Sequence, residues 1–219
     1  MTDIKIAIPK ERLSQLPRVE FHGGIKVVDS VDMARVALRE LSRHRLVGFD
    51  TETRPSFHKG RSHKVALIQL ATDDFCYLFR LNKLGLIEPL RKFLENPAIA
   101  KIGLSTHDDF TAIRRSDEFE PAGFIELQDY VKRFGISDIS LQKIYAIVFG
   151  ETISKNQRLT NWEAPELTEH QQAYAAIDAW ACLKLYKYLS EGCFDPSQSP
   201  YIVTPDSESD SQQNAPEQQ

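Results

Sequence analysis

Residues 47–53 read VGFDTET, and the two acids closing this apolar stretch decide how the chain is read. The preceding run RLVGF is rich in β-branched and aromatic residues, the pattern of a buried strand. Side chains two apart in a strand share a face. Asp50 and Glu52 therefore stand side by side, about 6.6 Å apart along the backbone at a rise of about 3.3 Å per residue. Carboxylates that close at the end of a buried strand destabilise one another unless positive charge lies between them.

Outward from this strand, IKVV (25–28), KVALIQLA (64–71), FCYLFRL (75–81), AIAKIGL (98–104) and GFIEL (123–127) read as further strands. Thr72-Asp73-Asp74 forms the turn of a hairpin between the second and third of these. Helical spacing predicts helices after Ser30, over 87–96 and over 106–119. Two more end at Gly135 and Gly150, and a long one runs over 168–190. The order implies an α/β fold with a mixed sheet, its antiparallel part first and helices on both faces. Residues 1–24, broken by Pro9, Pro17 and Gly23-Gly24, are expected to form an N-terminal extension on a domain spanning 25–194. Residues 195–219, rich in Ser, Gln, Asp, Glu and Pro, are expected to be a disordered acidic tail.

Length and composition suit one soluble domain: 219 residues, 42% hydrophobic and 26% charged. No apolar run is long enough to span a membrane, and MTDIKIAIPKERL is not a signal peptide. Cys76, Cys182 and Cys193 are scattered without CxxC spacing. They predict free thiols without disulfides, and with them a reducing, cytoplasmic setting. Net charge is −4, but four acids and no base lie in the last fourteen residues, so the remainder is balanced. Within that balanced body, RPSFHKGRSHK (54–64) carries Arg54, Lys59, Arg61 and Lys64 without an acid. Alone it reads as a solvated loop. Leaving directly from the carboxylate pair, it also suits the phosphates of a polyanionic substrate.

Two more groups of acids sit unusually. On the final helix, capped by the Thr168/Gln171 box, Asp178 lies about 40° from Tyr174, within the stripe that also holds Ala181 and Leu185. Such an acid is either paired with a base or placed for function. Asp108 and Asp109 open the helix after the 98–104 strand, where acids also serve as caps behind Ser105 or Thr106. Asp109 lies about 40° from Ile113, on the apolar side, and Asp108 points outward. Asp50, Glu52, Asp109 and Asp178 together offer oxygen ligands without His or Cys, a set suited to Mg²⁺ or Mn²⁺.

FDTET (49–53), KIGLSTHDDF (101–110) and YAAID (174–178) resemble the three exonuclease motifs of the DEDD superfamily. Tyr174, four residues before Asp178, matches its tyrosine subtype (DEDDy). KVALIQLA and NWEAPELTEHQQAYAAIDA are similar to the Werner-type and ribonuclease D branch. The resemblance covers roughly residues 25–190. It implies a ribonuclease H-like fold and 3′-to-5′ removal of nucleotides from DNA or RNA, single-stranded or 3′-recessed, with two divalent cations. Asp50, Glu52 and Asp178 are then implied to hold the first cation. Asp50 and, through water, Asp109 are implied to hold the second, and Tyr174 to orient the attacking water. The Thr53 backbone falls where relatives meet the 3′-terminal nucleotide. Lys155, Arg158 and Trp162 before the last helix, Phe110 for base stacking, and the basic loop with Arg54, Lys59 and Arg61 are the further substrate candidates, Trp162 being equally suited to anchor the core. A catalytically inactive relative that binds nucleic acid or protein is the competing function. An unrelated metal phosphohydrolase or synthase leaves the Tyr174–Asp178 spacing unexplained.

Overall fold

The computed structural model describes residues 4–56 and 63–203. Lys59 and Arg61, and the chain from 204 onward, lie outside the described residues. The elements run α1 (Lys10–Leu13), β1 (Gly24–Val28), α2 (Val31–Leu41), β2 (Leu46–Thr53), β3 (Val65–Ala71) and β4 (Phe75–Arg80). There follow α3 (Leu81–Leu84), α4 (Glu88–Leu94), β5 (Ala100–Gly103), α5 (Thr106–Arg114), β6 (Phe124–Glu126), α6 (Leu127–Tyr130), α7 (Leu141–Phe149) and α8 (Glu169–Ser190).

The strands form a mixed sheet in the order β1-β4-β3-β2-β5-β6. β2, β3 and β4 are antiparallel neighbours, while β5 and β6 continue parallel to β2. β1 lies parallel to β4 at the other edge. The antiparallel centre has the expected hairpin connection, and the parallel strands arrive through helical crossovers. Strand alternation divides β2 between two layers. Val47 and Phe49 enter a core with Leu38 and Leu41 of α2, Leu90 and Leu94 of α4, and Ile113 of α5. Gly48, Asp50 and Glu52 face α8 on the other side. A β-carbon at Gly48 would fall 1.9 Å from the Ala179 carbonyl oxygen, so only glycine lets β2 lie this close beneath α8.

Three expectations change. Helix α5 stops at Arg114 rather than 119, and Phe119 folds back into the α2/α4/α5 core. The N-terminal segment is part of the core rather than a covering: Ile6 and Ile8 are buried against α7 and α8. Ile6 makes a parallel bridge to Ile136 and an antiparallel one to Ile202. That second bridge, with a 3₁₀ turn at Pro196–Gln198, gives residues 195–203 structure where a disordered tail was expected. Backbone pairing with a distant segment supplies what the polar composition could not.

Candidate active site

Burial and repulsion dominate the site. Asp50 and Glu52 leave β2 on the α8 side, and Asp178 meets them from the middle of α8. One carboxylate oxygen from each of Asp50, Glu52 and Asp178 lies within 4.8 Å of the others. Glu52 and Asp178 are buried, and Asp50 is half-buried. α8 is held in place by its start: the Thr168 hydroxyl accepts from the Gln171 amide N–H, and Gln171 Oε1 accepts from the Thr168 N–H.

Burial, reinforced by Asp178, Asp109 and Glu52, holds the Asp50 carboxyl well above the ordinary carboxylate range. Burial and then the charges of Asp178 and Asp109 raise Glu52 to about 9, with Arg158 acting in the opposite sense. Burial raises Asp178 to about 7 against a hydrogen bond from Tyr174 and the charge of Lys155. Tyr174 donates that bond one helical turn before its acceptor, and burial and the surrounding acids push its hydroxyl far up, so it stays a donor. Among the described residues, Arg158 and Lys155 oppose these shifts without reversing them. Three hard oxygen donors so closely grouped fit a divalent cation, which sits about 2.0–2.6 Å from each ligand oxygen.

Asp109 reaches this region from the opposite layer. Thr51, which alternates with Asp50 and Glu52 and so faces α5, donates its hydroxyl to Asp109 Oδ1. Burial raises Asp109 to about 7, offset by that bond, with Asp108 and Glu126 adding their charges. Asp109 is half-buried and Asp108 exposed, the division that helical phase predicts. The cap of α5 differs from expectation. Ser105 occupies the cap position in the left-handed region (φ 61°) and its side chain makes no capping bond. Glu126, at the end of β6, accepts from the backbone N–H groups of Ser105 and Thr106 instead. The sequence reading passed over Glu126, because only the β5–β6 register, Gly103 opposite Glu126, brings it there.

The substrate candidates divide. Lys155 and Arg158 are exposed and close enough to act on Asp178 and Glu52 respectively. Arg54 is exposed and pairs with Glu163 at 3.2 Å, and His63 approaches the same carboxylate at 3.4 Å. Thr53 follows an irregularity in the β2–β3 register. Phe110 is half-buried, its ring edge-on to Phe119 and Phe124. Of its two readings, Trp162 takes the core one and not the substrate one: it is wholly buried, its ring 6.0 Å from that of Tyr174. Its large apolar surface and the apolar side chains around it in that core outweigh its position in a polar loop. The loop around it is tied down by Arg80, which donates to the Ala164 carbonyl, and by Asn82, which donates to the Glu163 carbonyl.

Cys76, Cys182 and Cys193 are free. Among the described residues no helix is long and apolar enough to cross a membrane.

Residues 25–192 match the family model for 3′-5′ exonuclease. The chain is 32% identical over 199 residues to the mouse bifunctional 3′-5′ exonuclease/ATP-dependent helicase WRN, covering 86% of this chain and 14% of that protein. It is 26% identical over 183 residues to ribonuclease D of Gluconacetobacter diazotrophicus, covering 82% of this chain and 45% of that one. It thus spans less than half the length of either relative. Its fold matches the EXO domain of Aedes aegypti Nibbler with a TM-score of 0.69 at 23% identity, over 82% of this chain and 96% of that one. Escherichia coli RNase D matches with a TM-score of 0.67 at 23% identity, over 77% and 44% of the two chains. With the three motifs gathered on a ribonuclease H-like sheet, the chain belongs to the 3′-5′ exonuclease family, in the Werner-type and ribonuclease D branch of the DEDD superfamily.

Proposed function

We propose that the protein is a divalent-metal-dependent exonuclease that hydrolyses nucleotides from single-stranded or recessed 3′ ends of DNA or RNA. The observation that carries this reading is the meeting of Asp50, Glu52 and Asp178 oxygens within 4.8 Å of one another, with Glu52 and Asp178 buried and all three carboxyls raised above the ordinary range. Asp50, Glu52 and Asp178 would hold one cation, and Asp50 with Asp109 a second. Bound there, Mg²⁺ or Mn²⁺ supplies an activated water and neutralises the charge developing on the leaving 3′ oxygen.

The chain's own groups do the rest. Tyr174 keeps its proton and donates to Asp178, and from there its hydroxyl would orient the attacking water. Lys155 and Arg158 flank the cluster and bind the scissile and neighbouring phosphates. Arg54, held by Glu163, extends that positive track. The Thr53 backbone, at the end of β2, lines the path of the terminal nucleotide.

The test is direct. 5′-labelled DNA and RNA oligomers, incubated with Mn²⁺ or Mg²⁺, should shorten into a ladder from the 3′ end. Chelator or Asp50→Ala should abolish the ladder. Activity that survives either treatment overturns the reading, and so does binding of the oligomers without any shortening.

A further inference from the structure

We propose that Glu126 is a positioning residue for the metal site: by capping α5 from the neighbouring strand, it fixes Asp109 relative to the β2 carboxylates. The inference rests on the proposed metal-dependent reaction, and it concerns a side chain outside the three motifs.

Four donors converge on the Glu126 carboxylate. Oε1 accepts from the Ser105 N–H at 3.0 Å and the Gln128 N–H at 2.9 Å. Oε2 accepts from the Thr106 N–H at 2.7 Å and the Thr106 hydroxyl at 2.9 Å. Gln128 closes the arrangement by donating to Ser105 Oγ at 2.9 Å and to the Ile139 carbonyl at 2.9 Å. The first N–H groups of a helix have no partner within it. Here a strand end supplies that partner, so the start of α5 is bound to the sheet rather than to the side chain preceding it. The left-handed Ser105 makes the turn from β5 tight enough for this.

Asp109 lies on the first turn of α5, three residues after Thr106. The helix is nine residues long, so its first turn is a large part of it and moves with its cap. At its other side Asp109 accepts a hydrogen bond from the Thr51 hydroxyl. Among the described residues, a first turn released from Glu126 would keep Asp109 in place chiefly through that hydroxyl. Groups that orient a metal ligand from behind contribute to metal affinity without touching the ion.

The prediction is a defect in metal use with substrate binding intact. For Glu126→Gln, one of the two oxygens becomes an NH₂ facing backbone donors. The Mn²⁺ concentration giving half the maximal rate should rise about tenfold. Saturating Mn²⁺ should restore most of kcat, and KM for the oligomer should stay within about twofold. Mn²⁺ binding without substrate, followed by the EPR signal of free Mn²⁺, should weaken at one site and not at the other. Asp108→Ala, on the exposed face of the same turn, should leave both readouts unchanged. If Glu126→Gln does not fold, Glu126→Asp, which keeps the charge but shortens the reach, carries the same expectation.

Unchanged Mn²⁺ dependence in the folded variant overturns the proposal. So does a rate loss that excess Mn²⁺ cannot restore, since that is the signature of a merely structural residue. The two levels separate cleanly. A wild-type protein that binds no Mn²⁺ and shortens no oligomer defeats the enzymatic reading. A normal wild type with an indistinguishable variant defeats only the role of Glu126.

Discussion

At Asp50, desolvation and the charges of Asp178, Asp109 and Glu52 all oppose ionisation, an electrostatic strain built into the site. Glu52 at about 9, with Asp109 and Asp178 at about 7, shares that strain. An unfolded carboxyl titrates near 4. Between that value and the raised native ones, the folded chain holds protons that the unfolded chain has released. Stability conferred by these groups is therefore complete at low pH and lost as pH rises from about 4 through about 7 to 9. Chelated protein should melt at a lower temperature at pH 8.5 than at pH 5.5, and Mn²⁺ should raise Tm more at the higher pH. Asp50→Asn should stabilise the chelated protein by about 1–3 kcal/mol while abolishing turnover, the trade expected where a site is built for its ligand. A chelated Tm that is flat or climbs with pH, or an Asn variant that melts lower, contradicts this account. The neighbouring acids give a second residue-scale contrast. Asp109→Ala should remove nearly all activity and Asp108→Ala should change it by less than about twofold, because only the former faces β2. Tyr174→Phe deletes the donor to Asp178 without disturbing the ring contact with Trp162. Its kcat should fall about 10- to 1000-fold at nearly unchanged KM, as for other deletions of a single positioned donor.

At the scale of elements, the site depends on how closely one strand and one helix approach. β2 and α8 were both legible in the sequence because their signals are local: an apolar run rich in β-branched and aromatic residues ending in acids, and a Thr168/Gln171 box opening a periodic stretch. Their closeness was not legible, since Gly48 looks like any glycine in a strand until Ala179 is seen above it. The start of α5 shows the same division. Its existence follows from spacing, but its cap comes from Glu126, some twenty residues along the chain, through strand pairing. Trp162 shows it too: its sequence position suits a substrate contact or a core anchor equally, and only its packing with Ala175, Ala176 and Ala179 of α8 decides for the core. Gly48→Ala tests the approach itself. The added methyl meets backbone rather than a flexible side chain, so α8 must shift away from β2. Overpacking of this kind costs about 1–3 kcal/mol or more. It should also separate Asp178 from Asp50 and Glu52, so that activity falls by at least about tenfold even where the protein remains folded. An alanine variant with wild-type Tm and rate would show that the layers are not held this tightly.

Over the whole molecule, the layer that holds the acid cluster is supported by chain that lies outside the matched family region of 25–192. Ile6 is completely buried, pairs by backbone with Ile136 and Ile202, and packs in the core that also contains Ile144 of α7 and Leu185 of α8. The Ile6 N–H donates to the Gly135 carbonyl at 2.7 Å, and its own carbonyl accepts from the Ser137 N–H at 2.9 Å. Residues near both ends of the described chain thus meet beside α7. Pro9, Pro17 and the Gly23-Gly24 pair hid this from the sequence, because they break the periodicities by which buried segments are recognised and the pairing partners are distant. Ile6 makes no contact with the acid cluster, so its contribution should be to stability alone. Ile6→Ala removes a fully buried branched side chain and leaves a cavity where the neighbouring backbone is pinned on both sides. Such changes cost about 2–5 kcal/mol, and a site that cannot collapse belongs in the upper part of that range. Urea unfolding should show a lower midpoint with an unchanged slope, while kcat and KM measured below the transition remain at wild-type values. A loss below about 1 kcal/mol would mean that the N-terminal segment covers the domain without supporting it. A kcat defect at full folding would mean that the segment reaches the catalytic layer through α8.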